Sequence, residues 1–375
     1  MFSLRKVIKR HKGWVIFFGI ALTLVAINKG IKYYDRYKYN IRATNDVPLY
    51  ALRRASISPE QMTEYSACGE LELYPYIMFK GPSNVKNKTV STNSFGFRGG
   101  EIGPKLPDTY RIILVGASTV FGGHVTSDEK TFAAQLERQL NLKSAELDTS
   151  FEVINASFPA FNSMQELILI QWRLLEHSPN MIIICDGFND AMTYLTRDNR
   201  PGFPYLFKKI EKITSTSALV KNRLRHIRIF RKIMEMMEKR ETQRQTTFDP
   251  EVVEFYRNNL DVMCHLLNSY NIKPFVVFQP VLDYKDPLSK LERDYLEDET
   301  SMNRKIFVEL CNGLEVAASE VARQNNAIYL DSRNVFDGVN DTLFTDDCHF
   351  NDRGHKIVAD NLYKRIYDYL LGAGL

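Results

Sequence analysis

The sequence predicts an α/β fold: a five-stranded parallel sheet covered by helices on both faces and preceded by one N-terminal transmembrane helix. Three observations predict it. From residue 110 onward, short β-branched or apolar runs alternate with segments of helical period. Those runs are apolar at consecutive positions, as in strands buried on both sides. Near the N-terminus stands an apolar stretch with basic residues on either side.

Taken in order, residues 14–27 form a 14-residue run interrupted only by Gly19 and Thr23. Arg5, Lys6, Lys9, Arg10 and Lys12 precede it, and Lys29, Lys32, Arg36 and Lys38 follow. The run is short for a hydrocarbon layer of about 30 Å. Lysines at its ends can snorkel, however, and no small-residue cleavage site follows it. An uncleaved anchor over 13–31 is the leading reading, with a cytoplasmic tail at 1–12 and the large domain exported. A cleaved signal segment or an interfacial helix are the alternatives. Residues 32–109 read as a stalk and a lead-in with short strand-like runs.

Charge follows the same division. Ten Lys/Arg and one acid fall in residues 1–42, leaving 39 basic and 44 acidic residues in 43–375, a net of −5. The overall +4 is therefore a property of the N-terminus, and nucleic acid is not an expected partner. The five cysteines are scattered without a CxxC spacing, which argues against a zinc ribbon.

The five strands are expected at 111–115, 153–154, 181–185, 274–278 and 327–330, inside a domain spanning 110–375. Met164, Leu167, Ile168, Trp172 and Leu175 share one helical face after the second strand, and 250–270 and 352–371 carry similar patterns. An insertion at 195–248 breaks the alternation. Within it, residues 207–244 hold twelve Lys/Arg and four Glu beside an apolar stripe of Ile227, Phe230, Ile233, Met234 and Met237. It reads as an amphipathic helical hairpin packed on the domain; the alternative is a surface for anionic lipid or an acidic polymer.

Ligands of open parallel sheets sit beyond the carboxyl ends of the strands. There the first strand leads into Gly116-Ala117-Ser118-Thr119 and the second into 155–160. The third leads into Asp186-Gly187-Phe188-Asn189-Asp190, and Asp346-Asp347-Cys348-His349 precedes the last helix. A serine hydroxyl becomes a nucleophile when an imidazole takes its proton, and the imidazole needs an acid to fix its tautomer. Ser118 is the candidate nucleophile, His349 the base and Asp346 the orienting acid, with Asp347 its competitor. The N–H groups of Ser118 and Ala160 and the amide of Asn189 are candidate oxyanion donors. His124 and His355 read as structural or solvent-facing. No phosphate-binding loop or metal-ligand cluster is visible, so no cofactor is expected.

These four blocks, in this order, resemble the SGNH/GDSL hydrolase superfamily of esterases, lipases, thioesterases and carbohydrate acetylhydrolases. The resemblance spans roughly 110–371 and implies a three-layer, flavodoxin-like sandwich. Residues 93–99 also resemble a lead-in of exported bacterial members. Two positions depart from the pattern. Ala117 replaces the acid of Gly-Asp-Ser, and Ala160 stands where a glycine N–H is usual. Ala160 serves equally at negative φ and is strained at positive φ.

The leading functional expectation is an exported, membrane-tethered serine esterase that removes an acyl group, with acetyl the expected one, from an envelope or extracellular carbohydrate. One alternative is an O-acyltransferase of a surface polysaccharide with a membrane acyl-donating partner. Others are a lipase or phospholipase and a non-catalytic, membrane-anchored interaction or polysaccharide-binding protein.

Overall fold

A computed structural model describes Thr23, Ala26 and residues 72–205, 207–208, 247–297 and 303–374. Apart from Thr23 and Ala26, the expected anchor at 13–31 lies outside the described residues, as do residues 32–71 and most of the basic insertion. Among the described residues no helix is long and apolar enough to cross a membrane.

The chain runs β1 (Glu72–Tyr74), β2 (Met78–Lys80), β3 (Thr109–Gly116), α1 (Ser118–Phe121), α2 (Phe132–Asn141), α3 (Ser144–Leu147) and β4 (Ser150–Asn155). It continues α4 (Ser163–Leu169), β5 (Met181–Asp186), α5 (Phe188–Thr196), α6 (Pro250–Ser269), β6 (Lys273–Phe278), α7 (Lys290–Glu297), α8 (Arg304–Gln324), β7 (Ile328–Asp331) and α9 (Asp352–Ala373). Strands β3 to β7 form one parallel sheet in the order β4-β3-β5-β6-β7. All five expected strands are present, each within a few residues of its expected bounds.

The sheet divides the core in two. Ile113, Val115, Ile182, Ile184, Val276 and Phe278 face α5, α6 and α8, while Ile112, Leu114, Ile183, Cys185, Phe275 and Val277 face α2 and α9. Alternation of side chains along each strand produces the two faces, and both are apolar because both are covered.

Two readings are modified. Residues 72–109 are part of the domain's own core: Ile77, Phe79 and Phe97 are buried, with Phe97 against Phe158 at 5.3 Å and Phe79 against Phe161 at 5.6 Å between ring centroids. In α4, the fully hidden residues are Ser163, Gln165, Glu166 and Leu169, whereas Leu167 and Ile168 are half-buried. A π-helical turn at Ile170–Leu174 then turns Trp172 outward. Apolar periodicity misplaced this face because its hidden side is partly polar.

Candidate active site

Ser118 opens α1, directly beyond the carboxyl end of β3. The turn before it requires glycine: a Cβ on Gly116 would lie 2.3 Å from Val120 Cγ2 and 2.5 Å from the Cys185 carbonyl oxygen. A four-residue helix cannot support itself, and buried side chains take its carbonyls. Asn155 Nδ2 donates to Val120 O at 2.7 Å, and the Arg98 guanidinium to Phe121 O at 3.0 Å and Gly122 O at 2.7 Å. Arg98 also pairs with Asp128 at 2.7 Å and donates to Thr89 O. These contacts support the turn where Ala117, itself buried, has no acid to offer.

The loop after β4 is tied to this turn by Phe158 N–H donating to Gly116 O at 3.2 Å. Its Ala160 adopts φ +67, the left-handed region, so the condition under which alanine is an unstrained replacement is not met. After β5, Gly187 adopts φ +105, and a Cβ there would run into the Phe278 ring. Asn189 follows in the first turn of α5 and is buried; its Nδ2 donates one hydrogen to Phe161 O at 2.7 Å. A primary amide has two such hydrogens, so the second can serve an oxyanion. Ser163 Oγ donates to Asp190 at 2.6 Å, a second tie between the same loops.

Asp346 curls back on its own loop. Its Oδ1 accepts the N–H of Cys348 at 3.1 Å and of His349 at 2.8 Å, and Oδ2 lies 2.7 Å from His349 Nδ1. Asn351 then caps α9 by accepting from Arg353 and Gly354, fixing where the loop ends. Asp347 points elsewhere, into an ion pair of 2.7 Å with Arg304, which also holds Asp283 at 2.9 Å. Burial pushes Asp347 up, and Asp283 up to about 6. The histidine's acid partner is therefore Asp346.

Serine and histidine loops meet through their neighbours: Thr119 Oγ1 donates to the Cys348 carbonyl at 3.3 Å. His349 Nε2 is buried and has no hydrogen-bond partner among the described residues. A direct Ser118–His349 hydrogen bond is not formed; such bonds in ligand-free sites commonly close only around substrate. Cys348 Sγ lies 3.7 Å from His349 Nδ1, the nitrogen already directed at Asp346.

Two features were not legible in the sequence. His124 is buried, its ring centroid 4.6 Å from that of His349 and its Nδ1 3.8 Å from Asp346 Oδ2. His124, Asp346 and His349 bring ligand atoms within 4.8 Å of one another and are the described residues that could hold a metal ion; their separation in the chain hid this cluster. The available signal was a histidine at the end of the Gly122-Gly123 turn that follows the serine. The second feature is a buried carboxyl cluster beneath Asn189. Glu166 has neither carboxylate oxygen paired with a donor group, Asp186 accepts from Tyr256 at 2.6 Å, and Asp190 holds Ser163. Burial pushes Glu166 well up, Asp186 up to about 8 and Asp190 up to about 6, and the Asp190 charge adds to the rise of the first two. The Asp186 charge raises Glu166 further, so the Glu166 carboxyl is held protonated. His355 is fully buried and driven to its neutral form by desolvation. Its Nδ1 accepts the Phe132 N–H at 3.1 Å, a structural role.

The family model described as GDSL-like Lipase/Acylhydrolase matches residues 112–362. No curated protein matches the chain. Among solved structures, the chain is similar to a lipase/acylhydrolase from Enterococcus faecalis at 18% identity and TM-score 0.40, covering 68% of this chain and 95% of that one. It is similar to the acetyl xylan esterase AlAXEase at 16% identity and TM-score 0.40, covering 68% and 98%. An acetyl xylan esterase from Geobacillus stearothermophilus is similar at 11% identity and TM-score 0.42, covering 68% and 94%.

Proposed function

The chain belongs to the GDSL-like lipase/acylhydrolase family and is an ester-bond hydrolase; on that premise we propose that it works through an acyl-Ser118 intermediate. Ser118 Oγ attacks the ester carbonyl carbon while His349 Nε2 takes the hydroxyl proton. Asp346 holds the other ring nitrogen and stabilises the imidazolium. The oxyanion is met by the Ser118 and Ala160 N–H groups and the second hydrogen of Asn189 Nδ2. Collapse expels the alcohol, which leaves with the proton from His349. Water then gives a proton to His349, attacks the acyl carbon and frees the carboxylic acid and Ser118. The observation that carries this reading is the His349 ring, anchored on Asp346 through Nδ1 at 2.7 Å with Nε2 unclaimed.

The ester is proposed to be an acetyl group on a sugar hydroxyl of an envelope or extracellular polymer, with residues 13–31 tethering the domain outside the membrane. The basic-flanked apolar segment supports export, and the carbohydrate acetylhydrolases of the resembled superfamily support the substrate class. Hydrolysis of p-nitrophenyl acetate, faster than that of longer esters and lost in Ser118→Ala, is the expected result, together with acetate release from an acetylated polysaccharide. Turnover that survives Ser118→Ala overturns the mechanism. Preference for long chains overturns the acetyl assignment, and acetyl groups appearing on an added sugar acceptor without release of acetate favour transfer over hydrolysis.

A further inference from the structure

His124 occupies a backbone position that suits glycine. Its φ is +73, a region costly for a side chain with a Cβ, and a strained residue at a site is grounds for a functional hypothesis. The ring is 4% exposed and lies against the catalytic imidazole, with 4.6 Å between centroids and 54° between planes. Its Nδ1 is 2.8 Å from Thr345 Oγ1, and Thr345 Oγ1 donates to the His349 carbonyl at 3.0 Å. Thr345 has one hydroxyl proton and spends it on His349, so its oxygen accepts from His124. That fixes the His124 tautomer with hydrogen on Nδ1. The same N–H edge looks toward Asp346 Oδ2 at 3.8 Å. The strand of chain beyond is stitched down as well: Thr126 N–H donates to Asp352 at 2.9 Å and its hydroxyl to the same carboxylate at 2.5 Å.

We propose that His124 is a positioning residue for His349: through Thr345 and by direct ring contact, it holds the imidazole and its carboxylate in their productive orientation. It touches neither substrate nor the proton in transit. This inference rests on the acyl-Ser118 reading above.

The test compares His124→Gly, His124→Asn and Thr345→Val with wild type and Ser118→Ala, reading kcat and KM on p-nitrophenyl acetate and the melting temperature. Glycine relieves the backbone while deleting the ring, so His124→Gly is expected to melt within a few degrees of wild type. Its kcat should fall at least tenfold with KM changed less than twofold. Asparagine tolerates the left-handed region and offers an N–H to Thr345, so His124→Asn should recover most of kcat. Thr345→Val breaks the next link and should lose kcat as His124→Gly does. Wild-type kcat in a folded His124→Gly overturns the inference, as does a folded His124→Asn no better than glycine. Were His124→Gly not to fold, wild-type kcat in Thr345→Val would overturn it. Activity that survives Ser118→Ala overturns the acyl-serine reading and this inference together. An inactive Ser118→Ala beside a fully active His124→Gly overturns this inference alone.

Discussion

Arg98 donates to the carbonyl of Gly122 at 2.7 Å, so a side chain from the lead-in segment holds the turn that closes the serine helix. Its guanidinium is almost fully buried, bonded to three carbonyls and to Asp128. Asp128 is partly exposed and can be rehydrated, but the carbonyls of Thr89, Phe121 and Gly122 would lose their buried donor, at a cost of about 1–3 kcal/mol. Arg98→Ala should lower stability by about that amount and reduce kcat more than it raises KM, measured by denaturant unfolding and ester turnover. Unchanged kcat would separate the lead-in from the site.

The adjacent acids Asp346 and Asp347 predict opposite outcomes. Asp346→Asn leaves the His349 ring without its carboxylate and should reduce kcat roughly a thousandfold or more. Asp347→Asn weakens an ion pair of 2.7 Å with Arg304 instead of the contact to the His349 ring and should cost less than about tenfold, since a partly exposed salt bridge is worth about a kcal/mol. Steady-state kinetics on the two variants decide it; the reverse ranking would reassign the acid.

At Ala160, φ +67 is a conformation glycine adopts without strain. Ala160→Gly is expected to be neutral to stabilising by about 1 kcal/mol and fully active, whereas Ala160→Val should destabilise by about 1–2 kcal/mol. Thermal melts of the two variants test this.

Beneath Asn189, the buried carboxyls give stability a pH dependence of definite sign. Glu166 and Asp186 have folded-state values raised above the ordinary carboxylate range, Asp186 to about 8. Below roughly pH 4 both folded and unfolded chains are protonated, and the groups contribute no penalty. As pH rises from there toward 8, the unfolded chain releases protons that the folded chain retains, so stability falls. Glu166→Gln mimics the protonated acid. It should raise the melting temperature more at pH 8 than at pH 5, and an equal shift at both would contradict a raised proton affinity at Glu166.

The sheet was legible because its strands are apolar at consecutive positions, a pattern that burial on both faces imposes. The Asp346–His349 pair was legible because a three-residue offset lets a turn bring the carboxylate back to the ring. Arg98, His124 and Glu166 were not. Arg98 acts on a turn 24 residues away and His124 on Thr345, 221 residues away, and nothing local marks either partner. Glu166 lies on the hidden side of α4, where a search for apolar periodicity looks past an acid. The positive φ of Ala160 was posed as a condition by the sequence and is decided by the backbone. The N-terminal segment at 13–31 remains a proposal, tested by protease accessibility of the domain in intact and permeabilised cells.

The most direct measurement is covalent labelling of the folded full chain with a fluorophosphonate, followed by peptide mass spectrometry. The predicted result is a single adduct on Ser118, absent in Ser118→Ala and formed at least a hundredfold more slowly in His349→Ala, since general-base assistance contributes about that factor. An adduct on another residue, or none on folded wild-type protein, would contradict a serine activated by His349.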